Sequence, residues 1–225
     1  MLQTNILNEP IFVGRKQELN ELHQFLDSAI DGCGNTVVIS GEAGSGKTRL
    51  MIEFLENVKK NDAQVLSGWC LSNASVPYFP FIEAFEPYVS IDNGNLTQQK
   101  ELKFAFTELN RDSKNSISPQ IWKDQTFAGI TQELLSISTK RPIVLFIDDL
   151  QWADSASLSL LHYISRSIEA ERILIIATYR KEELASPNND ISKLSPLLET
   201  LRLMGREGYT TKSNYPASTE KKPKK

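Results

Sequence analysis

The sequence lacks the features that are typical of membrane-spanning, secreted and strongly basic proteins. No apolar run approaches the ~20 residues that a bilayer-spanning helix needs, and the longest ones, Ile143–Ile147 and Ile173–Ala177, have the length of buried strands. Residues 1–10 contain no basic region followed by an apolar stretch, so they do not predict a signal peptide. The net charge of -3 gives no general attraction to nucleic acid or anionic lipid. We therefore expect a cytoplasmic protein without a membrane or nucleic-acid partner.

Residues that commonly form metal sites and hydrolase triads are also scarce. The chain has two cysteines, Cys33 and Cys70, and two isolated histidines, His23 and His162. This is too few for a disulfide framework or a zinc cluster. A G-x-S-x-G nucleophile motif is missing as well. We expect both cysteines to be reduced and to serve as small apolar residues.

The hydrophobic pattern predicts an α/β fold. Of the 225 residues, 40% are hydrophobic and 24% are charged, which is ordinary for a globular domain with a core. Short β-branched or apolar segments at Thr36–Ser40, Gln64–Trp69, Ile143–Ile147 and Ile173–Ala177 alternate with segments that repeat at helical spacing. The last two segments are continuously apolar, so both of their faces should be buried in a parallel sheet. We predict a three-layer α/β/α domain over residues 1–203, followed by a disordered polar tail over residues 204–225.

The segment from Gly41 to Thr48, GEAGSGKT, fits the phosphate-loop pattern G-x-x-x-x-G-K-[ST] at every fixed position. Glycines allow the backbone N–H groups to converge on an anion, and the N-terminus of the following helix adds its positive dipole end. We expect a lysine to reach the β and γ phosphates of ATP and a hydroxyl to bind Mg²⁺. The predicted nucleotide-binding residues are Gly41, Gly44, Ser45, Gly46, Lys47 and Thr48.

A second set of candidate residues follows two predicted strands. Asp148 and Asp149 end an apolar strand, where ligands bind in open α/β sheets. We predict that Asp148 orients Mg²⁺ together with Thr48, and that Asp149 polarises the attacking water. Capping of the next helix is the alternative role for these acids, although Asp154 or Ser155 fits that role better. Arg180 ends the next strand and can meet a γ-phosphate, although a plain surface arginine fits the sequence too.

Four segments, taken in order, resemble a known family. FVGRKQEL at 12–19, GEAGSGKT, FIDDLQWADSASL and ATYR resemble the AAA-like ATPase domain of signal-transducing P-loop NTPases, the STAND class, over residues 11–202. The resemblance implies the ASCE-type P-loop fold, with Val13, Gly14 and Arg15 near the adenine. It also implies that Asp148 is the metal-side acid, that Asp149 is the catalytic-side acid, and that Arg180 lies at the nucleotide-sensing position. The predicted catalytic residues are therefore Asp149, Lys47 and Arg180. Origin-recognition ATPases share VGR and the phosphate loop, but their second acid is usually Glu and QWAD is not typical of them.

The sequence departs from that family after residue 203. Family members continue into a fifth core strand and a lid, whereas GREGYTTKSNY does not have the pattern of an apolar strand. Without that strand, Thr36–Ser40 would be an open sheet edge, free to bind a protein partner or a second copy of the chain. Without a lid, hydrolysis would be slow.

Three functions are consistent with these residues. The first is a regulatory ATPase core that binds Mg-ATP and hydrolyses it slowly. The second is a non-catalytic nucleotide-binding module that docks on a partner. The third is a truncated remnant without a function.

Overall fold

The computed structural model describes residues 15–72, 76–91, 119–184 and 195–214, and it has a five-stranded sheet at its centre. The strand order is β2-β3-β4-β1-β5, and every neighbouring pair is parallel. The predicted parallel α/β sheet is therefore confirmed. The strands are β1 Asn35–Ser40, β2 Gln64–Trp69, β3 Ile143–Asp148, β4 Ile173–Tyr179 and β5 Thr211–Asn214.

Helices connect the strands and cover both faces of the sheet. Two short 3-10 turns follow β3 and β4, at Leu150–Trp152 and Glu182–Leu184. Asp154 begins the helix after β3 by accepting hydrogen bonds from the backbone N–H groups of Ala156 and Ser157, which confirms it as the N-cap. The helices are α1 Lys16–Ile30, α2 Lys47–Lys60, α3 Phe79–Ile91, α4 Pro119–Lys140, α5 Ser155–Ser167 and α6 Pro196–Glu207.

Alternation along the strands divides the core into two layers. In β3, Val144 and Phe146 face the layer that contains apolar residues of α1 and α2. Their neighbours Ile143, Leu145 and Ile147 face the layer formed by α3, α4, α5 and α6. Both faces of the central strands are buried because helices lie on both sides, which explains why these strands are continuously apolar.

Gly68 in β2 allows α3 to pack unusually close to the sheet. A Cβ atom at this position would lie 1.8 Å from the carbonyl oxygen of Pro80, which is backbone and cannot rotate away. Gly68 pairs with Ile147 of β3, one position before the pairing of Trp69 with Asp148. The glycine therefore lies beside the end of the strand that carries the first predicted acid.

The expectation that the fifth core strand is missing is wrong. Helix α6 continues to Glu207, and Gly208 ends it in the left-handed conformation with φ 82°. Strand β5 at Thr211–Asn214 then pairs in parallel with β1, so the β1 edge predicted to be open is covered within the domain. Residues 204–214, which the sequence placed in a polar tail, thus contain a helix end and a strand. The remainder of that predicted tail, residues 215–225, lies outside the described residues.

Across the described ranges, none of the helices combines the length and the apolar character required to pass through a membrane.

Candidate functional site

The predicted site residues meet at one edge of the sheet. Parallel strands place their carboxyl ends side by side, and β4 lies between β1 and β3. The phosphate loop follows β1, Asp148 and Asp149 lie at the end of β3, and Arg180 follows β4. The sheet order therefore brings together three segments that are far apart in the chain, at the position where ligands bind in open α/β sheets.

The phosphate loop depends on two glycines with positive φ. Gly44 has φ 72° and Gly46 has φ 85°, which is the left-handed region that non-glycine residues rarely adopt. Gly46 is the N-cap of α2, and Lys47 and Thr48 form its first turn. A turn in which the Ser45 N–H donates to the carbonyl of Glu42, at 3.2 Å, closes the loop. The N-terminus of a 14-residue helix therefore points into the loop.

Lys47 is buried, and its ammonium group points into the loop. Its Nζ donates to the carbonyl oxygens of Gly41 at 2.6 Å and Glu42 at 2.9 Å. Burial lowers the pKa of Lys47, and the positive charge of Arg180 lowers it further. The Glu182 carboxylate raises this pKa, and Asp149 and Asp148 raise it to a smaller extent. These influences place the charged groups at the ends of β3 and β4 within electrostatic reach of the ammonium group that follows β1.

Asp148 is held in place by a hydroxyl from the neighbouring strand. Thr178, fully buried in β4, donates its Oγ1 hydrogen to Oδ1 of Asp148. The backbone N–H of Asp149 lies 3.1 Å from the same Oδ1 and 3.2 Å from the Thr178 Oγ1. Both contacts to Asp148, from the Thr178 hydroxyl and from the Asp149 N–H, are with its Oδ1.

Asp149 is paired with a cation in this structure. Its backbone has φ 56°, which lies in the left-handed region. Its Oδ2 lies 3.2 Å from Nη2 of Arg180, and its Oδ1 accepts a hydrogen bond from Gln151 Nε2 at 2.9 Å. Gln151 in turn accepts from the Arg180 N–H at 3.1 Å, and Arg180 also pairs with Glu183 at 2.9 Å. Asp149 and Arg180, two of the three predicted catalytic residues, therefore contact each other.

Arg15 contacts the backbone of the phosphate loop. It is 5% exposed, and its Nη2 donates to the carbonyl oxygen of Ser45, while Nη1 lies 3.2 Å from Oε1 of Glu18. The family resemblance implied a position near the adenine, whereas in this structure one guanidinium nitrogen contacts the loop and the other contacts Glu18 of α1. Val13 and Gly14, predicted with it, lie outside the described residues.

The donors and acceptors around the loop fit a magnesium nucleotide. The loop provides left-handed glycines, a helix N-terminus and a buried lysine for phosphates. Thr48 is exposed on the first turn of α2, and Asp148 is only partly buried at the end of β3. In the described part of the chain, no cluster of three or more His, Cys, Asp or Glu residues forms a protein-only metal cage. Mg²⁺ does not need one, since it is commonly bound by one or two protein groups, phosphates and water.

Sequence reasoning missed three contributors to the site. These are Thr178, which supports Asp148, Gln151, which bridges Asp149 to the β4 end, and Glu182, which accepts a hydrogen bond from the N–H of Ala43. A hydroxyl in the last positions of an otherwise apolar strand was the available signal for Thr178. The other two contacts depend on the sheet order and have no local pattern.

Comparison with known proteins gives matches in families, sequences and structures. A family model described as "AAA ATPase domain" matches residues 11–176. An uncharacterized protein of Rhizobium meliloti (strain 1021) is 24% identical over 209 residues, covering 82% of this chain and 20% of that protein. The chain thus spans about a fifth of the length of this curated relative.

Two solved structures are similar in fold. The ORC2 protein of Aeropyrum pernix, solved as ADPNP-ADP complexes, has a TM-score of 0.51 and 14% identity, with 95% of this chain and 50% of that chain covered. Cdc6p of Pyrobaculum aerophilum has a TM-score of 0.52 and 18% identity, with 93% and 47% covered. At these identities the two likenesses show the fold alone.

Proposed function

The chain belongs to the AAA ATPase domain family, and we propose that it binds Mg-ATP at the phosphate loop and hydrolyses it slowly as the core of a regulatory switch. The observation that carries this proposal is the position of Lys47. Its ammonium group lies among loop carbonyls within electrostatic reach of Asp148, Asp149 and Arg180. An ammonium group held by carbonyls at the end of a glycine loop exchanges those contacts for phosphate oxygens when a nucleotide binds.

The binding experiment is calorimetry with Mg-ATP and Mg-ADP on the wild type and on Lys47→Ala. We expect the wild type to bind and Lys47→Ala to lose measurable heat, because the charge that meets the β and γ phosphates is gone. Lys60→Ala is the matched control, since it removes an exposed lysine from the other end of the same helix. No heat with the wild type at millimolar nucleotide would overturn the proposal.

The hydrolysis experiment uses Asp149, which we assign to polarising the attacking water. For this role its carboxylate has to exchange Arg180 and Gln151 for a water molecule, and we propose that Arg180 moves to the γ-phosphate when ATP binds. Phosphate release should then be slow in the wild type and fall to background in Asp149→Asn. Equal rates in both proteins would remove the enzymatic part of the proposal and leave the binding part in place.

A second candidate function is nucleotide binding without catalysis. The ion pair between Asp149 and Arg180, at 3.2 Å, favours it, because a carboxylate neutralised by a guanidinium is a poor base. Arg180→Ala distinguishes the two functions. If the pair only blocks the acid, this variant should release phosphate faster than the wild type. If Arg180 stabilises the γ-phosphate, the variant should be slower and bind ATP more weakly.

We further propose that the chain is of the STAND class and serves in signalling. Support comes from Asp149 as the second acid, from the QWAD segment at 151–154 and from Arg180 at the end of β4. A switch requires that ATP and ADP favour different conformations, and therefore that they bind the two conformations with different affinities. Hydrogen exchange of the ATP and ADP complexes tests this. Identical exchange patterns around Glu182–Leu184 would exclude a switch at this turn. The absence of a nucleic-acid partner stays a prediction from the net charge.

A further inference from the structure

The turn after β4 places a carboxylate on the phosphate loop. Glu182 begins the 3-10 turn Glu182–Leu184, two residues beyond Arg180. Because β4 pairs with β1, this turn lies beside the loop that follows β1. Oε1 of Glu182 accepts a hydrogen bond from the backbone N–H of Ala43, the third residue of the loop. The contact joins segments 139 positions apart in the chain.

Glu182 places a negative charge beside the loop whose N–H groups are expected to bind phosphates. Loop N–H groups attract anions, and a carboxylate is an anion of the same sign as a phosphate. Glu182 is also the acid that most strongly raises the pKa of Lys47, ahead of Asp148 and Asp149. A nucleotide that uses Lys47 therefore has to bind close to this carboxylate.

The Glu182 carboxylate is charged and exposed to solvent. Hydrogen bonds from its own backbone N–H and from Ala43 lower the pKa of Glu182, so it is ionised at neutral pH. Its side chain is exposed, so it can turn into solvent without burying or breaking other packing. The next residue, Glu183, differs because it pairs with Arg180.

We propose that Glu182 acts as an internal anion that competes with nucleotide phosphates for the loop and thereby sets the affinity of the site. This proposal rests on nucleotide binding at the same loop. The carboxylate engages Ala43 when the phosphates are absent and moves into solvent when they bind. The competition is stronger for ATP than for ADP, because an additional charged phosphate has to be accommodated beside the same acid.

The first experiment measures dissociation constants for Mg-ADP and Mg-ATP by calorimetry on the wild type and on Glu182→Gln. Glutamine keeps the shape and an oxygen acceptor for Ala43 and removes the charge. For an exposed charge we expect roughly two- to fivefold tighter binding, with the larger gain for ATP. The matched control is Glu42→Gln, which removes the same charge from an exposed side chain within the loop.

The outcomes separate the inference from the function on which it rests. Tighter binding in Glu182→Gln with a smaller change in Glu42→Gln supports competition at Ala43. Unchanged or weaker binding in Glu182→Gln overturns it, and so does an equal gain in both variants, because that result is a general charge effect. If neither the wild type nor Glu182→Gln binds nucleotide, the proposed function itself fails.

A second measurement tests the contact without a nucleotide. The Ala43 amide should exchange its hydrogen faster in Glu182→Ala than in the wild type, because its acceptor is removed. The Ser45 amide, which donates to the backbone of Glu42, is the internal reference and should not change. Equal exchange of Ala43 in both proteins would overturn the inference, whatever the binding data show.

Discussion

Replacing Thr178 with valine removes one hydroxyl from the centre of the site and keeps the volume of the side chain. Thr178 is fully buried in β4, and valine has nearly the same shape, so the change creates no cavity and puts a methyl group where the hydroxyl contacts Asp148. The substitution removes the hydrogen bond to Asp148 Oδ1 and one of the two acceptors near the Asp149 N–H. It therefore isolates the contribution of the hydroxyl.

The loss of stability can be estimated from these contacts. A hydrogen bond to a charged group contributes about 1.5–3 kcal/mol. Asp148 is only partly buried, so water replaces some of the lost interaction, and the Asp149 N–H keeps the Asp148 Oδ1 at 3.1 Å. We expect Thr178→Val to lose about 2 kcal/mol of unfolding free energy, toward the lower half of that range. Thr178→Ser keeps the hydroxyl and loses one buried methyl group, which costs about 1 kcal/mol.

Urea unfolding followed by circular dichroism measures both variants, and the slope m should stay at the wild-type value. The functional readout is the dissociation constant for Mg-ADP. It should rise in Thr178→Val, because Asp148 is no longer oriented toward the metal, and stay near wild type in Thr178→Ser. The reasoning is refuted if Thr178→Val is at least as stable as Thr178→Ser, since the hydroxyl would then contribute nothing that a methyl group does not.

The remaining predictions concern the stability of the fold and the reactivity of its thiols. Gly68→Ala should destabilise the protein by about 3 kcal/mol or more, because its Cβ would overlap the carbonyl oxygen of Pro80. Gly129→Ala should stabilise helix α4 by about 0.5–1 kcal/mol, because a Cβ there meets nothing within 4 Å. Similar melting temperatures for the two variants would contradict this prediction. Burial raises the pKa of Cys70 to about 12, whereas Cys33 is exposed. Alkylation at pH 8.5 should therefore modify one thiol per native chain and two thiols in urea. Modification of both thiols in the native protein would contradict this prediction. Because Cys70 stays protonated above the unfolded value of 9.0, the stability that it contributes should be lost as the pH rises from 9 toward 12. Asp154→Ala should cost about 1 kcal/mol through loss of the N-cap, and an unchanged urea midpoint would argue against that cap.

Local sequence signals were sufficient for the central strands and the phosphate loop. A helix was expected after the phosphate loop and is observed at Lys47–Lys60. Strand β2 was expected and is observed at Gln64–Trp69. These elements follow from short-range causes, namely apolar periodicity and glycines that allow positive φ. The strand ends were predicted less well, since β4 continues through Tyr179 beyond its apolar run. Pairing with β1 extends it there.

The contacts among the site residues could not be predicted from the same signals. Asp149, Arg180 and Lys47 were each identified, but their arrangement depends on β4 lying between β1 and β3. That order brings Arg180 to Asp149, and it brings Glu182 to Ala43. A sequence motif specifies residue types and their spacing, and it does not specify contacts between distant segments. It therefore predicts which side chains would bind a nucleotide, but it does not predict which of them pair with each other in the absence of phosphates.

Strand β5 shows most clearly why a polar segment can be missed. Its four residues, TKSN, bury only Ser213, so no apolar alternation marks them. Strand β5 forms because it pairs with the free edge of β1, and because its side chains form hydrogen bonds with neighbouring residues. Ser213 Oγ donates to Glu21 at 2.8 Å. Asn214 Oδ1 accepts from Ser40 at 3.2 Å and from Lys181 at 2.8 Å. Hydrogen bonds to residues of other elements, instead of hydrophobic burial, therefore specify where this strand pairs. Because Ser40 directly precedes the phosphate loop, a segment with the polar composition of a tail holds the strand end next to the proposed nucleotide site.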